Sequence, residues 1–176
     1  MNTGQMLITI GAMTILSLVI VRVSSTLIIT SDVMDRSKIG LLAVSMATSI
    51  IEEVNSVAFD ENTISGSVTA SDGLSEQLCA EALEVYPDFD DLDDYNDFRY
   101  TPKIDTIDIS GINFIVFQTF CAVDYVVEGN PELISVQSTF DKRLEVKVTS
   151  PAMWNENAGR QDTITLNTLF SYWYFR

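Results

Sequence analysis

The chain contains no histidine, and several classes of function depend on that side chain. Its 176 residues include 10 Lys and Arg against 25 Asp and Glu. Without histidine, Ser-His-Asp or Cys-His catalysis and histidine-ligated zinc or haem are excluded. The shortage of basic residues argues against nucleic-acid binding, since phosphate contacts need clustered lysine and arginine. No nucleophile motif or phosphate-binding loop stands out, so we expect neither an enzyme nor a required cofactor.

Cysteine is also scarce, with only Cys79 and Cys121. Two cysteines are too few for a disulfide-rich scaffold or a four-cysteine metal site. If the second half of the chain lies outside the cytoplasm, the pair is a candidate disulfide joining an acidic region to a predicted sheet. The alternative is two buried free thiols, and sequence spacing does not decide between them.

Apolar residues and charge lie in different parts of the chain. The net charge is −15, yet 47% of the residues are apolar, and the mean hydropathy is +0.19. Residues 1–57 carry four acidic and three basic side chains, whereas residues 58–100 carry 12 acidic and one basic. Residues 101–176 carry nine and six. An apolar N-terminal part therefore precedes an acidic remainder.

An uncharged apolar run extends from Met6 to Val21. Together with residues 23–29 it can span a hydrocarbon core of about 30 Å, with Arg22 reaching towards the headgroups. We predict a transmembrane or filament-core helix over residues 1–30. A cleaved signal peptide is disfavoured, because no Lys or Arg precedes the run and no Ala-x-Ala site follows it. The residues expected to contact the membrane or other helices are Met6, Leu7, Ile8, Ile10, Ile15, Leu16, Leu18, Val19 and Ile20.

Residues 31–57 continue with a helical period. Apolar side chains recur every three or four residues, which places them on one helix face. They are Ile39, Leu42, Met46, Ile50, Val54 and Val57. No proline precedes Pro87, so we predict a nearly continuous helix over residues 5–57. The alternative is two helices that break at residues 30–32, with Ser31 or Asp32 as the second N-cap.

The region 58–103 is predicted to be mostly an acidic loop, with a short helix over residues 76–85. Six aspartates fall between Asp88 and Asp97, and carboxylate oxygens are suitable ligands for Ca²⁺. The alternative is a solvated loop whose apolar side chains, Phe89, Leu92, Tyr95 and Phe98, hold it against the fold. The candidate calcium ligands are Asp88, Asp90, Asp91, Asp93 and Asp94.

The remaining residues, 104–176, have the pattern of an antiparallel sheet. β-rich segments are predicted at 104–109, 113–127, 133–140, 143–149 and 163–174, with Pro151 ending the fourth. Short turns between them favour antiparallel pairing. The predicted class is α+β: a long N-terminal helix, membrane-spanning in its first half and amphipathic in its second, packed on a C-terminal antiparallel β-sheet head.

This organisation resembles the type IV pilin and pseudopilin superfamily. Three stretches strengthen the resemblance: residues 47–60, the acidic motif 89–96, and 145–151 with the aromatic C-terminus. The acidic motif resembles one in pilin-like proteins related to the mannose-sensitive haemagglutinin minor pilins. The resemblance implies a subunit anchored in the bacterial inner membrane that assembles with itself, or with other pilin-like subunits, into a periplasmic or extracellular filament.

The resemblance also implies a leader cleaved between Gly4 and Gln5. The chain departs from the family pattern there, because no basic residue precedes Gly4 and Thr9 stands where the family has glutamate. A single-pass inner-membrane protein with a periplasmic binding or scaffold domain is the alternative function. The basic residues after the apolar run nominally favour a cytoplasmic head, whereas the resemblance favours a periplasmic one.

Overall fold

The computed structural model describes residues 3–80, 84–108, 111–155 and 158–174, with residues 103–108 and 111–114 described by their backbone alone. The chain divides into two compact units, residues 1–39 and 40–176. We call the second unit the head. The first unit is helical throughout its described residues.

Helix α1 runs from Thr3 to Val54 without interruption. It confirms the predicted continuous helix, which ends three residues earlier than expected, and excludes the alternative with a break at residues 30–32. Salt bridges one turn apart, such as Arg36–Asp32 at 3.2 Å, support its polar middle section. One helix in the described chain is thus long and apolar enough to cross a membrane.

Between the helix and the sheet, the chain is irregular with a few short helical turns. Helix α2 spans Glu61–Ile64 and is capped by Asp60, and 3₁₀ turns form at Ser71–Gly73 and Asp93–Tyr95. The predicted helix over 76–85 is wrong, since residues 76–80 and 84–85 are not helical and 81–83 lie outside the described residues. The Leu78 carbonyl accepts a hydrogen bond from Asn96 Nδ2 at 2.8 Å.

Seven strands follow within the described residues. They are β1 (Arg99–Tyr100), β2 (Lys103–Asp108), β3 (Gly111–Val116), β4 (Gln118–Val127), β5 (Asn130–Ile134), β6 (Asp141–Asn155) and β7 (Arg160–Ser171). Five of them form one antiparallel sheet in the order β1-β4-β6-β7, with β5 also paired to β4. Strands β2 and β3 form a separate antiparallel hairpin. The predicted α+β class is therefore confirmed.

Three predicted strand boundaries differ from the structure. The segment 113–127 is two strands that belong to different sheets and are separated at Phe117. The segment 133–140 is regular only as far as Ile134. Strand β6 does not end at Pro151 but continues to Asn155, with a register shift between Thr149 and Trp154. A proline is tolerated at such an irregularity because no ladder hydrogen bond is required from it.

The core of the head lies where alternate residues of β4 and β6 face the end of α1. The buried sheet residues include Cys121, Val123, Tyr125, Leu144, Val146 and Val148, and those of α1 are Ala43, Ala47, Ile50 and Val54. Ile50 and Val54 confirm the predicted apolar face of the helix. Before them, the buried residues are each one position later than predicted. Ala43 and Ala47 are fully buried, while the neighbouring Leu42 and Met46 are half-buried, because small side chains allow a helix backbone to approach closely.

Candidate functional site

The predicted membrane or filament residues are all exposed in the isolated chain. Over the nine named residues from Met6 to Ile20, the exposed fraction runs from 51% to 72%. Exposed apolar surface of this extent marks a site for lipid or protein contact. Gly4 and Gln5 lie in the first turn of α1, and cleavage between them stays a prediction.

The aspartate segment is folded into the head rather than solvated. Asp88 and Asp90 are exposed, but Asp91, Asp93 and Asp94 are at most 2% exposed. The alternative of a solvated loop is therefore wrong for three of the five aspartates, because these three are buried. The predicted apolar anchoring is confirmed, since Leu92 and Tyr95 are buried and Phe89 and Phe98 are half-buried. 

Two of these aspartates fix the backbone of their own segment. Asp91 Oδ1 accepts hydrogen bonds from the amides of Asp93 and Asp94 at 2.6 and 3.2 Å. Asp94 Oδ2 accepts from the amides of Asp90 and Asp91 at 3.0 and 3.2 Å. Short side chains that capture nearby amides in this way stabilise tight turns. The carboxylates therefore shape the loop that turns Asp93 towards the interior.

Asp93 contacts Lys142, which was not among the predicted site residues. Lys142, at the start of β6, has a side chain with no exposed surface. Its Nζ lies 2.8 Å from Asp60 Oδ2, 2.5 Å from Asp93 Oδ1 and 2.9 Å from the carbonyl oxygen of Phe59. These three acceptors match the three donors of an ammonium group. We call Lys142, Asp60 and Asp93 the buried triad.

Asp60 is the most fully hydrogen-bonded member of the buried triad. Its Oδ1 accepts from the Asn62 amide at 3.1 Å and from the amide and hydroxyl of Ser75 at 3.1 and 3.0 Å. Its Oδ2 accepts from the Tyr125 hydroxyl at 3.0 Å. Burial by itself raises the pKa of Asp60, but Lys142 and the Ser75 donors outweigh it and hold the pKa below its usual value.

The pKa values of Asp93 and Asp91 are shifted upwards instead. Burial raises the pKa of Asp93 to about 8, with Lys142 opposing the shift. Burial and the neighbouring Asp94 raise the pKa of Asp91 to about 7. Asp93 Oδ2 and Asp91 Oδ2 have no hydrogen-bond partner in the part of the chain that the structure describes. A buried carboxylate oxygen without a donor favours the protonated form, which explains the direction of both shifts.

Aromatic rings close the buried triad from water. The Lys142 Nζ lies 4.6 Å from the centroid of the Phe59 ring and 5.0 Å from that of Tyr125, distances typical of cation–π contacts. Tyr172 packs on Phe59 with centroids 5.7 Å apart. The site is therefore shielded from solvent, and the charge interactions within it are stronger than in water.

A second group of acidic side chains includes two other aspartates of this segment. One ligand atom each from Glu84, Asp90 and Asp94 lies within 4.8 Å of the others. Asp94 Oδ1 is buried without a hydrogen-bond partner among the described residues. Only Asp90 and Asp94 of the five predicted calcium ligands belong to this group, and Glu84 was not among the predictions. Calcium binding itself stays a prediction.

The two cysteines are free in the structure. Cys121 is fully buried on β4, whereas Cys79 is exposed. The predicted disulfide is therefore not formed, and the alternative of two buried thiols holds for Cys121 alone. Burial raises the pKa of the Cys121 thiol to about 12, which makes it unreactive.

A signal for Lys142 is present in the sequence. It stands two residues before Leu144, so it continues the alternation of Leu144, Val146 and Val148, all of which face the core. Asp60 carries a weaker signal, because the spacing of Asp60 to Thr63 is that of a capping box. Comparison of the chain with protein-family models, with curated proteins and with solved structures returns no match.

Proposed function

We propose that this chain is a pilin-like structural subunit, anchored in the bacterial inner membrane by α1 and assembled through the same helix into a filament. The observation that carries the proposal is the surface of residues 6–21. This stretch contains no charged residue, and its large apolar side chains are more than half exposed around the helix. A soluble monomer does not present such a surface to water.

Polar side chains within α1 suit a lipid or protein environment. The hydroxyls of Thr9, Thr14, Thr26 and Thr30 donate to carbonyl oxygens three or four residues earlier, at 2.8–3.0 Å. In a hydrocarbon core, where no water is available, a hydroxyl needs a partner within the helix. The same apolar surface that contacts lipid can later pack against neighbouring copies, since helix association in lipid depends on packing rather than on expulsion of water.

The head supports the proposal by its general architecture. A long N-terminal apolar helix whose last turns belong to the core of an antiparallel sheet is the plan shared by pilin-like subunits. The head needs no chemistry for this role, and its acidic surface suits the outside of a filament in water. Repetition of one contact between copies, without closure, produces a helical polymer.

A photo-crosslinking amino acid at Leu16, in the middle of the apolar run, tests the proposal in cells. Leu16 is 60% exposed, so irradiation should yield a ladder of multimers, and the same products should appear in the sheared surface fraction. The matched control is Val136, which is fully exposed on the head and should give far fewer multimers.

Two results would count against a filament. Monomers alone at Leu16, with no protein in the sheared fraction, would indicate a single-pass envelope protein with a binding or scaffold head. That alternative also predicts that deleting residues 1–30 leaves partner binding by the head intact. A subunit of a filament would lose its assembly entirely in the same deletion.

A further inference from the structure

The buried triad places an amine and two carboxyl groups in contact inside a closed pocket. Lys142 Nζ touches Asp60 and Asp93, and all three side chains are at most 3% exposed. Desolvating such charges is expensive, and their mutual attraction does not by itself repay the cost. Lys142 and Asp60 combined as an amide would carry no charge. Condensation therefore removes the source of that cost.

We propose that Lys142 and Asp60 form an intramolecular amide bond, between Nζ of the lysine and Cγ of the aspartate, with Asp93 carrying the protons. The inference rests on three features of the pocket. The amine is in hydrogen-bond contact with the carboxyl group that it would attack. Both oxygens of that carboxyl group accept hydrogen bonds from fixed donors, Oδ1 from Asn62 and Ser75, and Oδ2 from the Ser75 amide and the Tyr125 hydroxyl. A second carboxyl group lies against the same nitrogen.

The surroundings of the two aspartates assign their roles. Asp60 Oδ1 receives hydrogen bonds from the Ser75 amide, the Ser75 hydroxyl and the Asn62 amide. Donors fixed around one carboxyl oxygen stabilise the negative charge that develops there during attack on the carbon. Asp93 has no such set, since its Oδ2 has no hydrogen-bond partner in the described part of the chain. Asp60 is therefore the acyl group, and Asp93 is the proton carrier.

The reaction balances without another reagent. Asp93 takes one proton from the Lys142 ammonium, and the nitrogen lone pair then attacks Asp60 Cγ to form the C–N bond. Asp93 passes that proton to Asp60 Oδ2. A second proton leaves the nitrogen through Asp93 to the same oxygen, and the C–Oδ2 bond breaks with its electron pair on oxygen. One ammonium and one carboxylate become one amide and one water molecule, and Asp93 is regenerated.

The pocket provides the conditions that such a condensation needs. Reacting groups held in fixed proximity react far faster than in solution, and Lys142 Nζ contacts Asp60 Oδ2, an oxygen bonded to the carbon that the amine would attack, at 2.8 Å. Phe59 and Tyr125 border the amine and keep out the water that would hydrolyse an intermediate. The bond would join strand β6 covalently to a residue 82 positions earlier, which resists unfolding under tension.

Mass spectrometry of the denatured full-length chain, purified in detergent, tests the proposal. The wild-type chain should be lighter than its sequence mass by one water molecule, and fragmentation of a proteolytic digest should give a branched peptide joining Asp60 to Lys142. The Lys142→Arg variant should have its full mass, whereas Lys147→Met, which removes an exposed lysine of the same strand, should keep the deficit. A wild-type chain of full mass overturns the proposal, whatever the variants do.

Variants of the two aspartates test their roles. Asp60→Asn should react with loss of ammonia rather than water, because an amide then supplies the acyl group. Asp93→Asn should lose no mass, with circular dichroism confirming that it folds. If Asp93→Asn instead loses ammonia while Asp60→Asn loses water, Asp93 is the acyl group and the proposed assignment is wrong.

Discussion

Replacing Lys142 by methionine should destabilise the head more than the loss of any exposed charge. The methionine fills much of the lysine's volume, so the main change is that Asp60 and Asp93 lose their cation. Both carboxyl groups are buried, at 0% and 3% exposure of the side chain. Removing one partner of a buried ion pair costs about 3–5 kcal/mol, because the remaining charge stays desolvated.

This loss of stability should lower the melting temperature by an amount that depends on the size of the head. For domains of about this length, 1 kcal/mol corresponds to roughly 2–4 °C, so Lys142→Met should melt roughly 6–20 °C below the wild type. If the amide bond forms, its loss adds to this difference. Tryptophan fluorescence is the suitable signal, since both tryptophans, Trp154 and Trp173, belong to the head. The full-length chain in detergent can therefore be followed without interference from α1.

The matched control is Lys147→Met on the same strand. Lys147 is paired with Glu145, but its side chain is 43% exposed, and exposed pairs contribute about 0–1 kcal/mol. Adding Asp93→Asn to Lys142→Met should restore part of the stability, because it replaces one buried carboxyl group that has lost its partner. If Lys142→Met melts within a few degrees of Lys147→Met, the buried triad does not hold the head together and the reasoning fails.

Three further predictions concern the acidic segment and the cysteines. The pKa of Asp91 rises from 3.8 to about 7 in the folded head, so the stability it contributes at low pH is lost as the pH rises through 7. In Asp91→Asn, the free energy of unfolding should depend less steeply on pH between 3.8 and about 7, by up to about 1.4 kcal/mol per pH unit. Denaturant titrations at several pH values that show an unchanged pH dependence would contradict this. Ca²⁺ should raise the melting temperature of the wild type and of Asp88→Asn but not of Asp94→Asn; equal melting in EDTA and Ca²⁺ would exclude a structural calcium site. Under native conditions maleimide should label Cys79 and leave Cys121 unmodified, and rapid labelling of both would show that β4 is not protected.

Most of the architecture could be predicted from local patterns. The uncharged run from Met6 and the absence of proline predict α1, and the alternation at residues 144–148 predicts the inward face of β6. The errors have physical causes. The segment predicted as a helix at 76–85 instead contacts a distant part of the chain, since the Asn96 side chain, 18 positions away, donates to the Leu78 carbonyl. The buried face of α1 includes Ala43 and Ala47, because the helix approaches the sheet most closely where its side chains are small.

The candidate site was harder to predict from the sequence, because its residues are far apart in the chain. Composition identified an acidic segment and suggested that its aspartates act together on a cation. In the structure, Asp93 faces inwards to Lys142, 49 positions later, while Asp90 and Asp94 meet Glu84. A period in the sequence shows which face of an element is buried, but it does not show which charges meet across that face.

The sequence by itself therefore determined the α+β class, the apolar N-terminal helix and the acidity of the region after it, since these follow from periodicity and composition over neighbouring residues. Only the tertiary structure decided that a lysine at an inward position of β6 is buried between two aspartates and two aromatic rings. The physical reason is that the desolvation of a charged group, and the partners that compensate for it, depend on contacts between residues that the chain brings together only on folding.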